Sequence, residues 1–417
     1  MCDLCVMDRR TFLKTAAGTA AGVLAGPLFF RTKALAQGAP IRIGAPLPLT
    51  GPVGPLGQHS LWGAQTALRI IESSGGIAGR PVEMLVEDDG GRPANAVSIM
   101  RKMILQDQVD AIVAGVSSAE TLPMVPVAKE SETLFLVTVA ESDLITADQC
   151  NKYTFRLTPD ARAKAKAFAP FMVRNIAKSW QIVYWDMAWG QGLRDWFRLE
   201  LEKQGGEVVN AIPVPVGTTD FSAYLAKLQP ASQVPGIFHC VAGLDAVRLS
   251  KQIGEFGIQK EYKIAGTCDV IFPENWAEEA PNLEGAYLVE QYVAKDVAPL
   301  NTAADREFRR NFQEVSKGIP PGPHSYASYE SLFIYKRAME ASGYRDRRDT
   351  LKVVQAIEGM RGTKSLQFPQ GPFVIRPDDH QGLLNLYIWR LQGGQANMLA
   401  TVSSGETYYP PASTCRL

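Results

Sequence analysis

Polar and aromatic side chains follow several apolar runs of this 417-residue chain. Ser117 and Ser118 come directly after the run DAIVAG and precede a segment with a helical pattern. Serine hydroxyls and the unpaired N–H groups at the start of a helix can together hold a carboxylate. A serine at this place can also simply cap the helix, so the sequence leaves two interpretations. Glu141 follows the next apolar run, and Trp189 follows a later one, QIVYWD.

Motifs that would support catalysis are absent from the sequence. It has no G-x-S-x-G elbow, no H-E-x-x-H pair, no phosphate-loop lysine and no G-x-G-x-x-G after the first apolar run. The four histidines, His59, His239, His324 and His380, are scattered. His239 precedes Cys240, but neighbouring side chains on a strand point to opposite faces, so they cannot act as a Cys–His pair. We therefore predict that the chain is not an enzyme and needs neither cofactor nor metal.

The elements that must position these side chains alternate between strands and helices. Apolar runs separated by amphipathic segments are typical of βαβ units, which form parallel sheets covered by helices. The series occurs twice and is followed by a helical block and two terminal strands, which predicts an α/β protein with two lobes. The predicted strands are 41–47, 82–88, 110–115, 133–138, 181–186, 207–214, 236–241, 262–267 and 284–292, and the predicted helices are about 61–73, 93–105, 120–129, 191–204, 221–228, 244–256, 305–315, 326–341 and 350–358.

Charge and hydropathy exclude several classes of partner. Lysine and arginine together number 43, as do aspartate and glutamate, so no net charge favours nucleic acid or an anionic membrane. After the first 36 residues, no apolar run approaches the 18 residues of a membrane helix. We expect a monomer whose ligand is a small molecule.

The first 36 residues have the pattern of an export signal. D-R-R-T-F-L-K at 8–14 precedes an uncharged apolar stretch at 16–30, and A-L-A at 34–36 is a small-x-small cleavage site. The paired arginines resemble the twin-arginine signal of bacteria, although an ordinary secretory signal is the alternative. We predict cleavage after Ala36 and a periplasmic protein. Translation could start at Met1 or Met7.

Several segments, taken together and in order, resemble the leucine/isoleucine/valine-binding proteins of ABC importers. They include IRIGAPLPLTGPVGPLGQ, ESSGGIAGRP, VEDDGGRP, VAGVSS, KYTFR and FPQGPF, and they span nearly the whole chain after the signal. The resemblance implies the type I periplasmic-binding-protein fold, with two Rossmann-like lobes joined by three hinge crossovers near 157–160, 291–294 and 371–376. Lobe 1 would comprise 37–158 and 293–373, and lobe 2 would comprise 159–292 and 374–417.

The resemblance also suggests which residues of lobe 1 line the cleft. Ser118, with Ser117 beside it, aligns with the serine that holds the ligand's carboxylate. Leu56 lies in the loop that overhangs the ligand, where relatives often have an aromatic residue. Val139 and Glu141 follow the fourth strand, and Glu141 replaces a ligand-binding threonine. Its carboxylate could bind an ammonium group or point to solvent.

In lobe 2 the resemblance suggests five further contacts. Trp189 would offer an aromatic surface across the cleft, and Ala242 stands where the family has a tyrosine. Cys268 and Asp269 fall at the position of an ammonium-binding glutamate, and Asp269 is the better charge partner. Tyr292 would close the side of the pocket.

The function implied is capture of a small ligand and its delivery to the permease and ATPase of an ABC importer. The altered contacts leave the ligand open: an amino acid, or a related small carboxylate, aromatic ones included. A periplasmic sensor of the same fold that feeds a membrane receptor is the alternative, and the sequence does not separate the two.

The cysteines after the signal suggest one disulfide. Cys415 lies in a tail of proline, serine and threonine with little apolar surface to hold it, and Cys150 lies just before the first expected crossover. We predict that these two form a disulfide, since bridges persist in an oxidising compartment. Cys240 and Cys268 would end neighbouring strands in the family's order. They could pair if the registers match, but we expect them to stay reduced.

Overall fold

Five parallel strands form the first sheet of the computed structural model, which describes residues 38–267, 271–293 and 301–417. In chain order its elements are β1 (Ile41–Leu47), α1 (Gly54–Ser73), β2 (Val82–Asp88), α2 (Pro93–Leu105), β3 (Ala111–Ala114), α3 (Ser118–Glu130), β4 (Leu134–Val137) and β5 (Thr154–Arg156). The strand order is β2-β1-β3-β4-β5. β3 and β4 are buried at every position, as expected when helices cover both faces of a parallel sheet.

The middle of the chain supplies five strands of a second sheet, and these five pair in parallel. Its elements are α4 (Ala161–Asn175), β6 (Ser179–Trp185), α5 (Ala188–Lys203), β7 (Glu207–Val214), α6 (Ser222–Leu225), β8 (Gly236–Cys240), α7 (Gly243–Glu255), α8 (Ile258–Glu261), β9 (Lys263–Thr267), α9 (Trp276–Glu279) and β10 (Tyr287–Glu290).

The last part of the chain contributes to both sheets. Its elements are α10 (Ala303–Val315), α11 (Pro323–Ser342), α12 (Thr350–Ile357), β11 (Arg361–Gly362), β12 (Phe373–Ile375), β13 (Gly382–Leu384), β14 (Leu386–Gln392) and β15 (Gln395–Val402). α11 packs on α1 and β3 of the first sheet. β14 pairs antiparallel with β10, giving the second sheet the order β15-β14-β10-β9-β8-β6-β7. The predicted fold class, an α/β protein of two lobes, is confirmed.

A small antiparallel sheet of β11, β12 and β13 lies where the chain passes between the lobes. A bridge between Arg156, at the end of β5, and Gln381 joins it to the first sheet. After this small sheet the chain enters the second sheet with β14, which begins at Leu386.

α4 and β15 are among the elements that have no counterpart in the segments predicted above. Asp160 is the N-cap residue of α4, and its carboxylate accepts a hydrogen bond from the Ala163 N–H at 2.8 Å. β15 pairs with β14 at the edge of the second sheet. α4 brings a buried lysine, Lys164, to the region between the lobes.

Apolar packing is continuous between the lobes. One cluster includes Met100 of α2, Met124 of α3, Phe168 of α4 and Ile182 of β6, so it runs from the first sheet into the second lobe. Another cluster lies between the first sheet and the helices α1, α10 and α11. In the described ranges, no helix is long and apolar enough to span a membrane.

The C-terminal tail is held to the body by a disulfide. Cys150 and Cys415 are bonded, with their Cα atoms 5.5 Å apart, and this is the pairing that the sequence predicted. Cys240 is buried at the end of β8, and Cys268 lies outside the described residues. The tail is thus attached just before the passage from β5 into α4.

Candidate functional site

A small cavity lies between the carboxyl ends of the two sheets. Loops after β1, β3 and β4 meet loops after β6 and β8 there, the place where parallel sheets bind ligands. Most of its wall is apolar, with Ser117, Ser118, Glu141 and His324 as the polar members. The full set is Val53, Leu56, Val116, Ser117, Ser118, Val139, Glu141, Trp185, Met187, Trp189, Ala242 and His324.

The start of α3 forms the polar end of the cavity. Ser117 is the N-cap residue, and its hydroxyl oxygen accepts a hydrogen bond from the Ala119 N–H at 3.3 Å. The Ser118 hydroxyl oxygen accepts from the Ser142 N–H at 3.2 Å. A hydroxyl that accepts from the backbone still carries one O–H donor, and the helix N-terminus carries partial positive charge. The arrangement can therefore bind a carboxylate.

Glu141 does not point to solvent. It is 5% exposed, and its side chain is held by two residues of the second lobe. Oε1 lies 2.5 Å from Lys164 Nζ on α4, and Oε2 accepts a hydrogen bond from Trp189 Nε1 at 3.0 Å. The Lys164 ammonium also pairs with Glu290 at the end of β10. Because the carboxylate belongs to the first lobe, these contacts join the lobes beside the cavity.

Two tryptophans form the aromatic wall. The rings of Trp185 and Trp189 lie 6.1 Å apart at an interplanar angle of 71°, an edge-to-face contact. Trp185 Nε1 donates a hydrogen bond to Asp245 Oδ2 at 3.0 Å, which fixes its ring. Ala242, before α7, adds only a methyl group and so leaves space beside the rings.

The loop after β1 reaches across to the second lobe. The carbonyl of Pro52 accepts a hydrogen bond from the Leu244 N–H at 3.0 Å. Gly243 has φ +59°, and a Cβ there would lie 2.3 Å from the Pro52 oxygen, so only glycine permits this approach. The cleft is therefore closed over the cavity on this side.

A second contact between the lobes involves His59 of α1. Its Nδ1 lies 2.8 Å from Ser325 Oγ of α11, and its Nε2 lies 2.7 Å from Glu274 Oε2, in the loop after β9. Burial by itself raises the pKa of Glu274, but the hydrogen bond and charge of His59 outweigh it, and the pKa is lowered. The ionised form of Glu274 is thus favoured by this contact.

Seven of the ten residues expected at the ligand line the cavity: Leu56, Ser117, Ser118, Val139, Glu141, Trp189 and Ala242. Cys268 and Asp269 lie outside the described residues.

The placement of Tyr292 in the pocket is wrong. Its ring stacks on Tyr326 at 5.2 Å, and its hydroxyl donates to Asp305 Oδ1 at 3.1 Å. The chain has by then turned back to the helices of the first lobe, so the side chain joins their core.

Sequence reasoning missed several residues of the site. Val53 and Val116 lie close in sequence to residues that were predicted, and Trp185 and Met187 come shortly before Trp189. Their position at strand ends was the available signal. His324, at the start of α11, and Lys164 come from elements whose return to the cleft depends on tertiary packing.

Comparison with known proteins agrees with this architecture. A sequence model of the family described as periplasmic binding protein matches residues 40–396. The chain belongs to this periplasmic binding protein family. Its members are solute-binding proteins, which agrees with the prediction that the chain is not an enzyme.

Two relatives illustrate the similarity in sequence. The chain is 29% identical over 324 residues to the Leu/Ile/Val-binding protein homolog 3 of Brucella melitensis, covering 76% of this chain and 83% of the relative. It is 28% identical over 311 residues to the Leu/Ile/Val-binding protein BraC3 of Rhizobium johnstonii, covering 73% and 80%.

Solved structures share the fold. A solute-binding protein of Rhodopseudomonas palustris in complex with benzoate gives a TM-score of 0.80 at 22% identity, covering 91% of this chain and all of the other. The leucine-, isoleucine-, valine-, threonine- and alanine-binding protein of Brucella ovis, in a closed conformation, gives 0.77 at 23% identity, covering 90% and 98%.

Proposed function

We propose that this chain is an extracytoplasmic substrate-binding protein that captures a small carboxylate between its lobes and delivers it to an ABC importer. The observation that carries the proposal is the cavity itself, which combines the N-terminus of α3 with an apolar and aromatic wall. The residues proposed to contact the ligand are Leu56, Ser117, Ser118, Val139, Glu141, Trp189 and Ala242.

Closure of the two lobes would report the loaded state. In this proposal one lobe comprises 37–158 and 293–373, and the other comprises 159–292 and 374–417. A ligand that touches both lobes favours the closed form by its differential affinity for it. Small-angle scattering should show a more compact particle once the ligand is added, and tight binding without compaction would contradict closure.

The ligand class is supported by the cavity's chemistry and by its neighbours. The cavity combines hydroxyl donors at the start of α3 with an apolar and aromatic wall. Structural neighbours were solved with benzoate, 4-hydroxybenzoate and 3,4-dihydroxybenzoic acid, and another is named for binding leucine, isoleucine, valine, threonine and alanine. A thermal-shift screen with both classes tests the proposal, since a ligand that binds only the folded state raises the melting midpoint. A panel in which no compound shifts the midpoint would contradict it.

The proposal also includes delivery of the bound ligand to an ABC importer. The loaded protein should stimulate the ATPase activity of the reconstituted permease–ATPase complex more than the empty protein does. Stimulation of a membrane receptor instead would identify a sensor. Light scattering on the same preparation tests the expected monomer.

We further propose that the chain is exported by the twin-arginine route and cleaved after Ala36. Replacing Arg9 and Arg10 with lysine should leave uncleaved precursor in the cytoplasm. N-terminal sequencing of the exported protein should begin at Gln37. Normal export of the double variant would show that an ordinary secretory signal is at work.

A further inference from the structure

A buried lysine stands behind the carboxylate of the cavity wall. Lys164, on α4, is fully buried, and its Nζ lies between the carboxylates of Glu141 and Glu290. Only Glu141 of the three lines the cavity. Seen from the cavity, the carboxylate is therefore already paired with an ammonium that the protein itself supplies.

The pairing of Glu141 with Lys164 affects whether the cavity can bind a ligand's ammonium group. The ammonium group of an α-amino acid loses its hydration when it enters a closed site and needs an anionic acceptor there. Glu141 offers its Oε1 to Lys164 at 2.5 Å and its Oε2 to Trp189 at 3.0 Å. A ligand ammonium would have to compete with both of these tethered donors.

A carboxylate without an amino group meets no such competition. Its charge can be placed at the N-terminus of α3, where Ser117 and Ser118 carry O–H donors. Its apolar or aromatic body can lie against Val116, Val139 and Trp189. The polar end of the cavity then binds the ligand's charge, and the apolar wall packs against the rest of the ligand.

We propose that Lys164 is a specificity-determining residue, because its ammonium occupies Glu141 and so selects carboxylates that lack an α-amino group. The inference rests on the proposed function, since it names the ligand class of the same cavity. Lys164 does not line the cavity and acts through Glu141, which makes it a positioning residue. Replacing it with an uncharged side chain should turn Glu141 into an acceptor for a ligand's ammonium.

The experiment compares matched ligand pairs by calorimetry on the full mature protein. The pairs are 3-phenylpropanoate against phenylalanine and 4-methylpentanoate against leucine, with benzoate and valine added to the panel. The wild-type protein should bind at least one compound without an amino group tenfold or more tightly than its amino counterpart. In Lys164→Met this ratio should fall at least tenfold, and Lys164→Arg should restore it.

Lys166→Met is the matched control, because Lys166 lies on the same helix and not in the cavity wall. It should keep the wild-type ratio. If Lys164→Met does not fold, the inference is tested by the affinities of the wild-type protein and of Lys164→Arg for the matched ligand pairs. Wild-type binding of phenylalanine or leucine as tight as that of its counterpart would overturn the inference and leave the proposed function standing. A wild-type protein that binds nothing in the panel would overturn both.

Discussion

The hydroxyl of Tyr409 donates a hydrogen bond to the Asp160 carboxylate at 2.5 Å and thereby joins the C-terminal tail to the start of α4. Asp160 also caps α4 and accepts from Arg156 at 3.1 Å, and all three residues are buried. The Arg376 guanidinium donates to the Tyr409 carbonyl as well. The tail is therefore part of the region in which the chain passes between the lobes.

Replacing Tyr409 with phenylalanine should destabilise the protein. The variant keeps the ring and loses one hydrogen bond to a charged group, a loss of about 1.5–3 kcal/mol in the free energy of unfolding. Denaturant unfolding measures it. Tyr408→Phe is the control, because Tyr408 is 50% exposed and should change stability little. Equal effects of the two substitutions would show that the contact with Asp160 contributes nothing.

Breaking the disulfide should also weaken the attachment of the tail. Cys150→Ser, Cys415→Ser and the double variant should each lose about 2–4 kcal/mol in the free energy of unfolding, since the bond closes a long loop. The three losses should be nearly equal, because each change removes the same bond. A double variant that loses twice as much as each single one would mean that the cysteines act separately.

Most strands and helices could be predicted because their apolar runs are bounded by glycine, proline or charged residues. The strand at 207–214 and the helix at 93–105 were predicted with the bounds that are observed. α4 was missed for a physical reason: A-R-A-K-A-K-A-F-A alternates with the period of a strand, and Pro170 stands inside it. The alanines and the cap at Asp160 favour the helix instead.

The same reasons limit prediction of the site. Ser118, Glu141 and Trp189 were placed by the resemblance to the leucine/isoleucine/valine-binding proteins, and all three line the cavity, where parallel strands end. The partner of Glu141 could not be predicted, since Lys164 lies on the helix that was missed and the contact joins segments of different lobes. Tyr292 was misplaced because packing against Phe308 and Tyr326 determines its direction.

Removing the hydroxyl of Ser118 should weaken ligand binding. In Ser118→Ala the ligand's carboxylate loses a hydrogen bond to a charged group, which we expect to cost about 1.5–3 kcal/mol, roughly ten- to a hundredfold in affinity. Calorimetry with the ligand found by the thermal screen measures this. Ser131→Ala, at the other end of α3, is the control and should leave affinity unchanged. Unchanged affinity in Ser118→Ala as well would show that the ligand's carboxylate does not bind at the start of α3.

Two buried carboxyl groups of the first lobe, Glu120 and Asp89, predict a dependence of stability on pH. Glu120, in the first turn of α3, is 2% exposed, and within the described residues its Oε1 has no hydrogen-bond partner. Burial, and then the nearby charges of Asp89 and Asp88, raise the pKa of Glu120 to about 9. Burial likewise raises the pKa of Asp89 to about 6.

A carboxyl group whose pKa is raised by folding makes the protein less stable as the pH rises. Between the ordinary pKa of 4.5 and about 9, folded Glu120 keeps a proton that the unfolded chain has lost. The free energy of unfolding should therefore fall as the pH rises through this window, by up to about 1.4 kcal/mol per pH unit for one such group. Glu120→Gln keeps the shape without the proton, so its stability should fall less steeply between pH 5 and 9. Urea unfolding at several pH values measures the slope, with Glu202→Gln, on the exposed face of α5, as the control. A Glu120→Gln slope equal to that of the wild type would show that Glu120 is ionised in the folded protein.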